Sequence, residues 1–457
     1  LQRERSELLQ RERSELLQRE RSELLQPEQS EPYSPCTCGP AKKPDAYSTC
    51  HRLPYPIFAL LNRKLMATPT AKDGRAQLPP ITNIQMVDLK AQYTAMQEEV
   101  DQAVLDVIRS CAFINGPAVK QFQAGLEDYL DAKHVIPCAN GTDALQIALM
   151  ALGLEPGDEV IVPAFTYVAS AEVIALLRLS PVMVDVDPRT FNVRAEDIAA
   201  AITPKTKAII PVHLFGQSCD MEPIIALANE HSLHIVEDNA QAIGAKYTFS
   251  DGRVAATGTI GDIGTTSFYP SKNLGAYGDG GAINTDSAAL AEEIRKVANH
   301  GQSRRYYHDV VGCNSRLDSI QAAVLNCKLS RLDGYSNRRR EAADYYDANL
   351  QGLDGLLTPA RQHNSTHVFH QYTLRIDGGR REALQAHLQE AGIPSMIYYP
   401  VALYDQEAFS GSAANDISFL PVTDMLCKEV ISLPMHSEFE EGTLAYIVEQ
   451  VRSFFGA

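Results

Sequence analysis

From residue 84 onward the chain alternates short apolar runs with stretches of helical periodicity. The runs at 135–138, 159–165, 181–186, 207–215 and 234–237 are rich in Val and Ile and read as strands buried on both faces. Between them, 143–152, 170–177, 195–201 and 221–231 have helix-forming composition. Repeated alternation of this kind predicts βαβ crossovers, and so an α/β fold with a mostly parallel sheet covered by helices on both faces. Near residue 329 the pattern changes. Charged residues become frequent, 338–340 open a long helical stretch, and 371–376 and 395–399 read as strands. The expected organisation is a large domain over 84–328 and a smaller C-terminal α+β domain over 329–457.

The first 83 residues do not fit this pattern. Residues 1–26 repeat the octad Leu-Gln-Arg-Glu-Arg-Ser-Glu-Leu, and 27–83 are rich in proline. An eight-residue period advances about 80° per repeat around a helix, so the leucine pairs spiral instead of forming a coiled-coil seam. The octads read as low-complexity sequence and 27–83 as a disordered connector. The expectation is a non-domain extension, with a native start near Met66 or Met86.

Composition narrows the function. Of the 457 residues, 57 are Asp or Glu and 41 are Lys or Arg, for a net charge of −16. The octads and connector are slightly basic, so the remainder is more acidic than the whole. Nucleic-acid binders have the opposite electrostatic footprint, so no nucleic-acid partner is expected. No run approaches the roughly 18–20 apolar residues that span a bilayer, so no membrane insertion is expected either. The nine cysteines are an odd number and mostly scattered, as in reduced cytoplasmic proteins. Cys36, Cys38, Cys50 and His51 cluster without the paired spacing of a zinc site, and no metal is predicted.

Three segments carry chemistry. Lys272 lies in the Gly-rich, aromatic stretch Phe268-Tyr-Pro-Ser-Lys-Asn-Leu-Gly-Ala-Tyr-Gly-Asp-Gly-Gly281. If that stretch is buried, desolvation lowers the lysine toward a nucleophilic free amine; the alternative is a surface lysine in a flexible loop. The run 234–237 leads into Asp238 at the carboxyl end of a strand, where ligands bind in open α/β sheets. There a carboxylate can pair with a protonated ring nitrogen or simply cap a helix. Glu237 points to the other face and reads as structural. Asn140-Gly-Thr-Asp143 opens a helix after a strand, so its free amides and the Thr142 hydroxyl suit an anion, or merely cap the helix. Ser267 is placed to add a hydroxyl to the same anion, and Tyr167 to stack on a planar ring or pack in the core.

Together these segments resemble the DegT/DnrJ/StrS sugar aminotransferases, enzymes of the pyridoxal phosphate (PLP) fold type I. The likeness rests on Asp238-x-x-Gln241, on Ser267 five residues before Lys272, on the Gly-Asp-Gly-Gly run and on Cys138-Ala-Asn-Gly-Thr-Asp-Ala-Leu145. It extends to Val87-Asp-Leu-Lys90, Pro211-Val-His-Leu-Phe-Gly216, Asn314-Ser-Arg-Leu-Asp318 and Leu433-Pro-Met-His436. It implies a seven-stranded, mostly parallel sheet and a homodimer with shared active sites. Lys272 would be joined covalently to the cofactor and carry protons once released. Asp238 would hold the ring nitrogen and Gln241 the phenolic oxygen, while Tyr167 stacks on the ring. Gly141, Thr142 and Ser267 would bind the phosphate, joined by Asn314 of the second subunit. Arg316, Tyr398, Tyr399 and His436 would line the substrate site; some relatives that make diamino-uronic acids have His at the position of Tyr398. The implied reaction moves the amino group of L-glutamate to a UDP- or dTDP-linked 3-keto hexose, with a 4-keto sugar as the alternative. Surface-polysaccharide or other amino-sugar biosynthesis is the expected setting.

Two other readings make different demands. A nicotinamide-dependent dehydrogenase needs G-x-G-x-x-G after the first strand, whereas Gly258, Gly261 and Gly264 are spaced differently and fall late. A PLP-binding regulator would hold the cofactor without turning over glutamate.

Overall fold

The computed structural model describes residues 84–409 and 419–457. The octads, the Pro-rich segment and the Cys36, Cys38, Cys50 and His51 group lie outside the described residues. The central sheet has seven strands: β1 (His134–Cys138), β2 (Glu159–Pro163), β3 (Ser180–Val184), β4 (Thr206–Ile209), β5 (His234–Asp238), β6 (Ile263–Ser267) and β7 (Gly281–Thr285). Their order is β1-β7-β6-β5-β4-β2-β3. β7 runs antiparallel to both its neighbours, β1 and β6, and every other pairing is parallel. Six carboxyl ends therefore open on one side of the sheet.

The strands are buried because helices cover both faces. The helix Gly141–Ala151 buries Ala144, Leu145, Ile147, Ala148 and Leu149 and packs on β6 and β7. It joins a core with Val160, Val162, Phe165, Val236 and Ile283. On the opposite face Ile161, Ile209 and Ile235 meet Ile198 and Ile224, from the helices Ala195–Ala201 and Met221–His231. Each such side chain contributes on the order of 1.5–3 kcal/mol on burial.

Several elements differ from the expectation for identifiable reasons. The helix expected from residue 143 starts at Gly141, because the Asn140 side chain caps it by accepting from the Asp143 N–H at 2.8 Å. The run 207–215 pairs as β4 only to Ile209, since Pro211 has no N–H to give; pairing returns as a single bridge between Val212 and Asp238. β6 and β7 escaped the apolar-run reading because Ile-Gly-Thr-Thr-Ser and Gly-Ala-Ile-Asn-Thr are small and polar, although both strands are almost wholly buried.

In the C-terminal part a three-stranded antiparallel sheet is built from β8 (Leu356–Leu357), β9 (Tyr372–Ile376) and β10 (Val430–Leu433). It has its own core, where Leu374, Ile376, Ile431 and Leu433 meet Leu384, Leu388, Ile447 and Val451. The expected strand at 395–399 does not form. Pro394 and Pro400 flank the segment, and Met396 makes only an isolated bridge to Ser432. The long helix is Leu332–Leu350, so Arg338–Arg340 lie inside it rather than at its start. Among the described residues no helix is long and apolar enough to cross a membrane.

Candidate active site

A pocket of about 640 Å³ opens at the carboxyl ends of the parallel strands. Nine of the expected site residues line it: Gly141, Thr142, Tyr167, Asp238, Gln241, Ser267, Lys272, Tyr398 and Tyr399. Five segments far apart in sequence, 141–142, 167, 238–241, 267–272 and 398–399, converge here.

Lys272 is partly buried on the wall of the pocket. Its loop is tight because the glycines after it permit close backbone contact: a Cβ on Gly275 would stand 2.2 Å from the Pro270 carbonyl oxygen. Burial lowers the Lys272 ammonium to about 8, with the Asp238 carboxylate opposing the shift. A substantial fraction of the amine is therefore neutral near pH 8.

Asp238 ends β5 and is 5% exposed. Its Oδ2 accepts from the Ser170 hydroxyl at 2.8 Å and its Oδ1 from the Ala240 N–H at 3.1 Å. Gln241 is held by both ends of its amide: Oε1 accepts from the Phe215 N–H at 2.7 Å, and Nε2 donates to the Tyr399 hydroxyl at 3.2 Å. Tyr399 lies edge-on to Phe165, with ring centroids 5.9 Å apart, and 6.3 Å from the ring of Tyr167. Tyr167 itself is 57% exposed at the pocket rim.

The start of the helix Gly141–Ala151 meets the end of β6 across almost no space. A Cβ on Gly141 would stand 2.7 Å from Ser267 Cβ and 3.2 Å from its hydroxyl. Gly281 permits a similar approach, since a Cβ there would lie 2.4 Å from the Asn140 carbonyl oxygen. The result is a concave junction that places a helix N-terminus beside the Thr142 and Ser267 hydroxyls, a donor set suited to an anion.

Asn314, Arg316 and His436 are not brought to this pocket. Arg316 donates to the side chains of Asn314 and, at 2.9 Å, Asn299. His436 is buried, stacks on Phe439 with centroids 4.0 Å apart and accepts from the Glu438 N–H at 3.1 Å. Burial and the nearby Arg339 lower it to about 4.

Sequence reasoning missed Ser170 and His370. Ser170 is fully buried in the otherwise largely apolar helix Ala169–Leu176, and that exception was the available signal. His370 lines the pocket, is 4% exposed and has no hydrogen-bond partner at Nδ1. Burial together with the positive Lys272 and Arg339 keeps it neutral, far below the ordinary histidine value. No spacing in the sequence marks it. Glu237 faces away from the pocket. Its carboxylate accepts from the Gly258, Ile260 and Gly261 N–H groups and from His213. His213 Nδ1 accepts from the Cys219 N–H, so its Nε2 carries the proton and donates to Glu237.

Known proteins share both sequence and fold with this chain. The family model described as the DegT/DnrJ/EryC1/StrS aminotransferase family matches residues 94–452. A "Pleiotropic regulatory protein" of Geobacillus stearothermophilus is 46% identical over 82% of this chain and 99% of its own length. A "UDP-2-acetamido-2-deoxy-3-oxo-D-glucuronate aminotransferase" of Pseudomonas aeruginosa is 45% identical over 80% of this chain and 98% of its own. The crystal structure of NtdA from Bacillus subtilis, with bound cofactor PMP, superimposes with a TM-score of 0.76 at 29% identity, covering 83% of this chain and 86% of that one. The fold is PLP fold type I, the cofactor is pyridoxal phosphate and the activity is transamination. The chain belongs to the DegT/DnrJ/EryC1/StrS aminotransferase family.

Proposed function

We propose that the protein moves the amino group of L-glutamate to a UDP- or dTDP-linked 3-keto hexose, using PLP held in the pocket around Lys272. The observation that carries this reading is a desolvated lysine in one pocket with the Asp238 carboxylate and the Gly141–Ser267 junction. The residues fit the group, because the junction is a cradle that a single methyl would fill. Gly141, Thr142 and Ser267 would hold its phosphate, Asp238 the ring nitrogen and Gln241 the phenolic oxygen, and Tyr167 would cover the ring.

When bound, PLP supplies an electron sink that acidifies the C–H bond beside the nitrogen being transferred. The rest falls to the chain. Ser170 and the Ala240 N–H fix both oxygens of Asp238, which keeps the carboxylate aligned. Lys272 would bind the cofactor, and its Nζ, lowered to about 8 by burial, is suited to hold and give up a proton. One amine serves as both base and acid.

The 3-keto preference is supported by the name of the Pseudomonas relative, a 3-oxo-sugar aminotransferase. Asn314 and Arg316 are assigned to the site of a second subunit in a homodimer. Supporting this, neither lines its own pocket, and the nearby Tyr306 and Val311 are 78% and 86% exposed. Residues 84–328 are assigned as a PLP-binding domain and 329–457 as a smaller one around the three-stranded sheet, in a cytoplasmic enzyme of surface-polysaccharide or amino-sugar synthesis.

The name of the Geobacillus relative favours one rival, a regulator that binds PLP without turnover. A single experiment separates the two. The PLP-loaded protein is mixed with L-glutamate, and cofactor absorbance and 2-oxoglutarate are followed. Stoichiometric 2-oxoglutarate from the wild type, and none from Lys272→Ala, is the expected result. No conversion by the wild type would leave the regulator.

A further inference from the structure

A second cleft, of about 780 Å³, adjoins the Lys272 pocket and shares Ser271, Gln371 and Tyr398 with it. Its wall includes Gln385 and Gln389, one turn apart on the helix Arg381–Glu390 and therefore on one face. Ile84, Val87 and Ile393 give it an apolar floor. Among the described residues no Asp, Glu, Lys, Arg or His lines it. The Gln385 side chain is half-buried and that of Gln389 exposed, and neither makes a hydrogen bond to a described residue. Among the described residues nothing competes with a ligand for either carboxamide.

The chemistry of the cleft selects what it can take. Glutamate and a diphosphate are anions, and no cation here would hold either of them. A neutral ligand with an apolar face and alternating donors and acceptors does fit, because each carboxamide offers one acceptor and two donors in a plane. Such an edge pairs two-point with the amide edge of a nucleobase. The volume lies within the usual range for small-molecule sites, roughly 300–1,000 Å³. Resting on the aminotransferase reading above, we infer that this cleft binds the nucleobase end of the nucleotide sugar while the keto carbon lies by Lys272. Gln385 and Gln389 read the base. The amino donor has no base and never uses them.

The test separates the two halves of the reaction. Binding of UDP, dTDP and GDP to the PLP-loaded full-length protein is measured by calorimetry, beside N-acetylglucosamine 1-phosphate, which has no base. The Gln385→Leu, Gln389→Leu double variant is expected to weaken the best nucleotide at least tenfold and to leave the sugar phosphate unchanged. Its conversion of the cofactor by glutamate should stay within twofold of wild type, and its thermal midpoint should not move. Unchanged nucleotide affinity in the variant, or no nucleotide binding by the wild type, overturns the assignment. Equal weakening of the sugar phosphate overturns it too and gives the cleft to the sugar. Failure of the wild type to convert its cofactor with glutamate is a different result, which removes the aminotransferase reading whatever the nucleotides do.

Discussion

The contact between the start of the helix Gly141–Ala151 and the end of β6 is the sharpest place to test the candidate site. Gly141→Ala would place a methyl carbon 2.7 Å from Ser267 Cβ. Carbon atoms rest at about 3.5–4.0 Å, so the helix start and the strand end must part by roughly 1 Å. Neither side yields easily: β6 is paired on both edges, and the helix is anchored by five buried side chains. Overpacking by one methylene-sized group costs about 1–3 kcal/mol. Without cofactor the junction can open at its exposed mouth and relieve much of this. With a phosphate in the cradle it cannot, so the cost appears in binding, as a roughly 5- to 150-fold loss of PLP affinity. The chain has no Trp, and the cofactor's own absorbance is the natural readout for a titration. Pyridoxal, which lacks the phosphate, serves as the comparison and should lose far less. Equal PLP affinity in the two proteins, or an equal loss for pyridoxal and PLP, would refute the assignment of this junction to the phosphate.

Other expectations follow from buried groups that the reaction does not touch. Lys328 is 1% exposed, donates to the Gly275 carbonyl at 2.8 Å and sits 4.3 Å from the centroid of Tyr277, with burial lowering it to about 8. Between that value and the ordinary lysine value the unfolded chain binds more protons, so this contribution is complete above the unfolded value and is lost as pH falls through about 8. In urea unfolding of the cofactor-free protein, Lys328→Met should therefore gain roughly 1–2 kcal/mol less than wild type between pH 8 and 9.5; parallel curves would exclude this. Glu237→Ala strands three backbone N–H groups and the His213 ring N–H in a dry site, at a cost of about 3–5 kcal/mol. The thermal midpoint reports it, and a loss under about 1 kcal/mol would mean that water reaches those donors.

The sequence by itself determined the α/β class, five of the seven central strands and the three segments that meet in the pocket. Those readings depend on local properties: Val and Ile runs mark buried strands, Asn140 marks a helix start, and one lysine among glycines marks a desolvated amine. β6 and β7 were hidden because a strand buried between two others needs no large side chains of its own, and Thr and Gly leave no period to read. The tertiary structure alone brought Ser170 to Asp238, 68 positions away, and His370 into the pocket with Lys272. It also turned His436 toward Phe439 and away from the pocket, and left Asn314 and Arg316 outside it. Chain order sets which residues follow one another along an element, but the crossovers and sheet order decide which strand ends meet. The site lies where those ends converge, so its membership is a property of the packing.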